Sequence, residues 1–271
     1  MKICMLSKTP LVGSPARLAN ALNSIGTSVE LFTFEDYPNH LRGLFGMGKK
    51  LESLANLVTS DYDLVWVHNS IPNTQWDLFK KKFNGHPKYI QFHSGTHEAP
   101  LNYIDLDSEP YSIFDFKLVV AQAWARMYPD ATLIPNVCET RIPSQKDCSE
   151  EVNVLYTPSH SKGGRFGFKD AQRIECIINK NRSLLNNLSE RPFNVETLKA
   201  PMLQSDLIEY RSKFHISIDE TYTAGFHQVS IEALCTGGVA INAADIFSML
   251  AYTNAIMADR LPPFISINNT S

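Results

Sequence analysis

No stretch of this sequence approaches the roughly 20 consecutive apolar residues that span a bilayer. The apolar run near the start, Ile3 to Leu6, is too short for the core of a signal peptide and predicts a first strand instead. Cysteine is scarce. Cys4, Cys138, Cys148, Cys176 and Cys235 form no C-x-x-C pair, which excludes the usual zinc spacing and a disulfide framework. A reducing, cytoplasmic setting is the expectation. An excess of positive charge is also missing: 25 Lys and Arg stand against 28 Asp and Glu, a net charge of −3, spread evenly along the chain. The footprint that binding to a phosphate backbone usually leaves is therefore absent. The loop after the first strand, SKTPLVGSPARLAN (7–20), lacks G-x-G-x-x-G, which argues against a nicotinamide-dependent dehydrogenase. Short repeats and low-complexity tracts are absent too.

What is present is alternation. Short apolar runs at 3–7, 29–34, 64–68, 89–93, 118–121, 132–134, 154–156, 193–198, 215–218 and 239–242 predict strands. Segments of helical period fall near 15–25, 41–58, 74–83, 122–128, 169–188, 203–213, 227–236 and 245–252. This order predicts parallel sheets covered by helices on both faces. Most strands are continuously apolar, as burial on both sides requires. A length of 271 residues favours two domains. The polar segment CETRIPSQKDCSEEV (138–152) reads as the linker, leaving an amino-terminal domain at 1–140 and a carboxy-terminal one at 150–271. The fold class is thus α/β, two Rossmann-like domains facing a cleft. In such sheets ligands gather at the carboxyl ends of strands. Those ends carry Ser7–Gly13, His68–Asn69, His93–Ser94–Gly95 and Gln122 in the first half, and Ser159–Gly167, Lys199, Asp219–Glu220 and Asn242 in the second.

Two segments point to chemistry. In YTPSHSKGGRFGFKDAQRI (156–174) a strand gives way to a glycine-rich turn and then to a helix. Gly164 would expose backbone N–H groups at the positive end of that helix, and Arg165 and Lys169 add full charges suited to a diphosphate. The entry of the 7–20 loop into its helix at Gly13 offers a similar geometry. In TAGFHQVSIEALCTGGVAIN (223–242), Glu232 sits among apolar helical neighbours, where a carboxylate needs donors such as ribose hydroxyls. In YIQFHSGTHEAP (89–100), His93 ends a strand, followed by His97 and Glu98. The stretch 40–58 places Leu44, Met47, Leu51, Leu54 and Val58 at helical spacing beside Arg42, Lys49 and Lys50. It predicts a helix packed on the sheet, with peripheral membrane contact as its second reading.

The segment GFHQVSIEALCTGGVAIN resembles the nucleotide-binding signature of the family-4 retaining glycosyltransferases, with Phe226 in its F-G position and Glu232 in that of the ribose-binding glutamate. The 156–170 segment is similar to that family's diphosphate loop, with Lys169 at the lysine of its basic pair and Arg165 as the substitute for the arginine. His93 matches the histidine that faces the reacting sugar. Ala224 stands where the first glutamate of the E-x7-E pattern belongs, and Glu220 or Asp219 is the candidate to reach that space. His227 and Gly238 replace a glycine and a proline of the pattern. The resemblance implies the glycosyltransferase B architecture and transfer from a UDP- or GDP-linked sugar to an acceptor hydroxyl. It also implies retention of configuration, no metal and no tightly bound cofactor. The acceptor stays open among glycan, lipid carrier, protein and modified DNA base. A nucleotide-sugar-binding protein without catalysis and a nucleotide-sugar epimerase are the alternatives.

Overall fold

The structure, a computed structural model, describes residues 1–37, 42–93, 105–138, 146, 151–157, 191–198, 200, 202–219, 221 and 224–267, with seven positions between 176 and 187. The chain divides into two compact units, Met1–Val137 and Cys138–Ser271.

Unit one holds seven parallel strands: β1 (Lys2–Ser7), β2 (Ser28–Thr33), β3 (Lys49–Lys50), β4 (Leu64–His68), β5 (Lys88–Phe92), β6 (Phe116–Val120) and β7 (Thr132–Ile134). Their order is β3-β2-β1-β4-β5-β6-β7. The order reverses direction between β1 and β4, and it is there that sheets of this kind open a crevice at their carboxyl ends. Alternation along each strand sorts the side chains. Cys4, Leu6, Val65, Val67, Ile90, Phe92 and Val119 enter one core cluster, with Phe79 of helix α2 (Trp76–Lys82). Ile3, Met5, Val29, Leu31 and Leu64 enter the other, beneath Ala16, Leu18, Ala19 and Leu22 of helix α1 (Ser14–Ser24). Each fully buried large side chain contributes roughly 1.5–3 kcal/mol relative to exposure.

Unit two holds five parallel strands: β8 (Val152–Tyr156), β9 (Phe193–Thr197), β10 (Ile216–Ile218), β11 (Val239–Asn242) and β12 (Phe264–Ser266), ordered β12-β11-β10-β8-β9. Its reversal lies between β8 and β10. Helices α3 (Gln204–Arg211), α4 (Gln228–Cys235) and α5 (Ile246–Ala255) accompany it.

The ten expected strands are all present to within about two residues at their ends, and β3 and β12 are additional. Two helices need correction. The segment 122–128 is a 3-10 helix, Ala123–Met127. The segment 41–58 contains β3 and a 3-10 turn at Leu54–Asn56, and no α-helix among its described residues. Glycines explain this. Gly43 has a φ of +73°, outside the helical region, and Gly48 lies so close to β2 that a Cβ there would come within 2.2 Å of the Leu31 carbonyl oxygen. Leu51, Leu54 and Leu57 do turn inward, but from an irregular chain rather than one amphipathic face, which removes the helix on which membrane contact was to rest. No helix among the described residues is long and apolar enough to cross a membrane.

Candidate active site

The strand ends of unit one carry an unusual row. Thr33, Ser7, His68 and Gln91 stand side by side in register across β2, β1, β4 and β5, all at most 2% exposed. Apolar residues would be expected at the centre of a doubly covered sheet. Here four polar ones take the position flanking the reversal of strand order. His93, one residue beyond β5, joins them. Its Nε2 lies 2.9 Å from Nδ1 of His68 and 3.0 Å from the Gln91 amide nitrogen. Its backbone N–H donates to Asn69 Oδ1 at 2.7 Å. Asn69 itself has a φ of +54°, which turns the chain sharply after β4. The indole of Trp66 stacks on the His68 ring, 6.0 Å between centroids and 6° from parallel.

Both imidazoles are neutral. Burial, and then the Arg17 guanidinium, push the His93 pKa down to about 3. Burial, and then His93, hold His68 well below the ordinary histidine range. Arg17, in the first turns of α1, is itself buried and donates to the carbonyls of Val12 (3.0 Å) and Val137 (3.1 Å). The Val12 N–H donates to the Tyr37 hydroxyl at 3.0 Å. The loop thus held has Leu11, Val12 and Gly13 at φ of 45°, 55° and 76°. A left-handed conformation is costly for a β-branched residue such as Val12, so the loop after β1 stores strain at the strand-end site. Gly13, an expected ligand residue, is the left-handed cap that starts α1.

In unit two a buried cation organises the strand ends. Arg211 is fully buried. It donates to Ser217 Oγ of β10 at 3.2 Å and to Thr157 Oγ1 just beyond β8 at 3.1 Å, and its Nε lies 3.4 Å from a carboxylate oxygen of Glu232. Burial lowers its pKa, while the charges of Glu232 and Asp219 oppose the shift. Asp219, one residue past β10, accepts from the His227 N–H at 2.6 Å and from the Ser230 hydroxyl at 2.8 Å. It therefore caps α4 from another strand, a favourable place for a carboxylate. Asn242 donates to Ser230 Oγ at 2.9 Å and closes the network at the end of β11.

Of the expected site residues, His93 and Glu232 stand at strand-end networks, in units one and two respectively. Glu232 is 4% exposed and faces Arg211. The Phe226 ring is buried against Tyr252 and Phe264, 5.2 and 5.0 Å between centroids, and so supports the loop from the core. Gly164, Arg165, Lys169 and Glu220 lie outside the described residues, as do His97 and Glu98. Ala224, in place of the family glutamate, has a φ of 57° and accepts at its carbonyl from Asp245 N–H (3.2 Å) and the Ser248 hydroxyl (2.8 Å) at the start of α5. Sequence reasoning missed Gln91, Arg17 and Arg211. Gln91 alone carried a signal, as a polar residue inside an otherwise apolar strand.

No protein-family model matches the chain, and no curated protein matches it in sequence. Among solved structures it is similar to an α-glucosyltransferase in complex with UDP and a 13-mer DNA containing an HMU base. That likeness has a TM-score of 0.50 at 14% identity, over 89% of this chain and 79% of that one. The Streptomyces sp. SF2575 glycosyltransferase SsfS6 is similar at a TM-score of 0.44 and 12% identity, over 95% and 85%. Glycosyltransferase VinC in complex with DTDP follows at 0.41 and 12%, over 94% and 85%. The first likeness bears on the fold, and the fold is that of the two-sheet, B-type glycosyltransferases.

Proposed function

We propose that this chain is a glycosyltransferase that moves a sugar from a UDP- or GDP-linked donor to an acceptor hydroxyl, with retention and without a metal ion. The observation that carries the reading is the convergence of Thr157, Arg211, Asp219 and Glu232 where the strand order of unit two reverses. The glycine-rich segment with Arg165 and Lys169 follows directly in sequence. The carboxy-terminal domain, 150–271, takes the nucleotide, and the amino-terminal domain, 1–140, takes the acceptor. Gly164, Arg165 and Lys169 hold the diphosphate, where fixed positive charge stabilises the departing group. Arg211, with its Nε 3.4 Å from the Glu232 carboxylate, orients that group so that its remaining lone pairs accept from the ribose hydroxyls. His93, neutral, hydrogen-bonds the reacting sugar, and Glu220 approaches the donor sugar in place of the missing glutamate. Gly13 brings the strained loop to the acceptor side. The setting is cytoplasmic.

The test is a thermal-shift panel of UDP, GDP and dTDP with their sugars, since a ligand bound only by the native state raises the melting temperature. Glu232→Ala is expected to abolish the shift. Transfer that stops on chelation would sink the metal-free part, and inversion in the product would sink retention. The acceptor panel contains glycans, lipid-linked sugars, proteins and DNA with hydroxymethylated bases; the last is included because one similar structure holds such a DNA. The even charge favours the first three. Ala224 supports a second reading, a nucleotide-sugar-binding protein that has lost turnover; tight donor binding with neither transfer nor donor hydrolysis would select it.

A further inference from the structure

We infer that Gln91 and His68 are positioning residues that lock His93 as the tautomer protonated on Nδ1, so that His93 meets the donor sugar as a hydrogen-bond donor and not as a base. The mechanistic half of this rests on the proposed placement of His93 at the reacting sugar; the tautomer stands on geometry alone. An amide nitrogen only donates. With the Gln91 nitrogen 3.0 Å away, Nε2 of His93 must present its lone pair. At 2.9 Å a lone pair on Nδ1 of His68 would face that same lone pair, so His68 carries its own proton on Nδ1. A neutral imidazole with a bare Nε2 holds its proton on Nδ1.

One rival arrangement of these three side chains exists. Turning the Gln91 amide by half a rotation lets its oxygen accept from Nε2–H of His93, with His68 accepting at Nδ1. What each arrangement strands decides between them. His68 Nε2 and the Gln91 amide oxygen are buried with no hydrogen-bond partner among the described residues. In the first arrangement both are bare acceptors. In the rival, the same two places hold N–H donors, one from His68 and two from Gln91. Buried orphan donors are rarer and more costly than orphan acceptors, so the first arrangement prevails. Burial beside Arg17 keeps the ring from taking a second proton. The Nδ1–H that remains suits a sugar hydroxyl or phosphate oxygen.

The test is a long-range proton–nitrogen spectrum of the full chain labelled with 15N-histidine, with ring signals assigned through His93→Gln and His68→Asn. The expected result is a protonated Nδ1 and a bare Nε2 on both rings. Gln91→Glu supplies an acceptor beside Nε2 and is expected to move the His93 proton there. UDP affinity should stay unchanged and kcat should fall about a hundredfold, the usual cost of losing one aimed donor. Gln91→Met should leave the proton on Nδ1. A native His93 protonated on Nε2 overturns the inference, whether or not the variants fold. If the spectrum is as expected and no donor or acceptor supports transfer, the proposed function fails while the tautomer assignment survives.

Discussion

Arg211 is the residue on which unit two turns, and its stability role can be separated from its binding role. A guanidinium with no solvent exposure is tolerable only because Glu232, Ser217 and Thr157 meet it. Removing one partner of a buried ion pair leaves the other uncompensated and typically costs about 3–5 kcal/mol, whereas replacing both with apolar residues of similar size is often neutral. Arg211→Met alone is therefore expected to destabilise by about that amount in urea unfolding, and Arg211→Met with Glu232→Leu to recover most of it. The double variant should still fail to bind UDP. Recovery of binding along with stability would show the pair to be structural only. Neither residue's environment could be read from sequence: Arg211 ends a short, mainly polar helix (QSDLIEYR) with no marked apolar face, and its partners Ser217 and Thr157 come from distant parts of the chain.

At the scale of elements, the strands were legible because a continuous apolar run has few other uses, and parallel pairing followed from the intervening helical segments. The segment 41–58 was misread because Leu44, Met47, Leu51, Leu54 and Val58 are spaced as in a helix while Gly43 and Gly48 are there for the backbone. Gly48→Ala tests this. A Cβ at that position would meet the main chain of β2 at Leu31, which cannot yield as a side-chain tip can. The short edge strand β3 should detach, at a cost of about 1–3 kcal/mol, seen as lost amide protection at Leu51, whose N–H donates to the Thr33 carbonyl at 3.0 Å. The polar row across β1, β4 and β5 has a consequence of its own. His68 and His93 are held neutral in the fold, whereas in the unfolded chain they protonate near 6.5. Below that pH the unfolded state binds more protons, so stability falls on acidification, by up to about 1.4 kcal/mol per pH unit for each histidine. Glu30, drawn down to about 2 chiefly by its bonds to Lys49 and Tyr62, adds a similar acid loss only below its ordinary 4.5. The window between pH 6.5 and 4.5 therefore isolates the histidines. His93→Gln should lower the slope there by about half, leaving the share of His68; an unchanged slope would mean that His93 is solvated.

On the scale of the whole molecule, the two units differ in a way that lets donor binding be assigned to one of them. Trp66, Trp76 and Trp124 all precede residue 138, so tryptophan emission reports unit one, while far-ultraviolet dichroism reports both. The glycine-rich cationic segment and the Arg211 network belong to unit two. UDP at about a hundred times its dissociation constant stabilises whatever it binds by about 2.7 kcal/mol. For a unit of this size that raises the midpoint on the order of 10 °C. Melted with UDP, the protein is expected to show a dichroism component that moves upward while the tryptophan transition holds its position. If both signals move together, the units unfold as one cooperative block, and the assignment passes to Glu232→Ala, which should cancel the shift. A nucleotide that moves the tryptophan transition alone places the donor in unit one. That outcome would reverse the proposed roles of the two halves, because the reversal point between β1 and β4 would then hold the nucleotide, and His68, Gln91 and His93 would line its pocket.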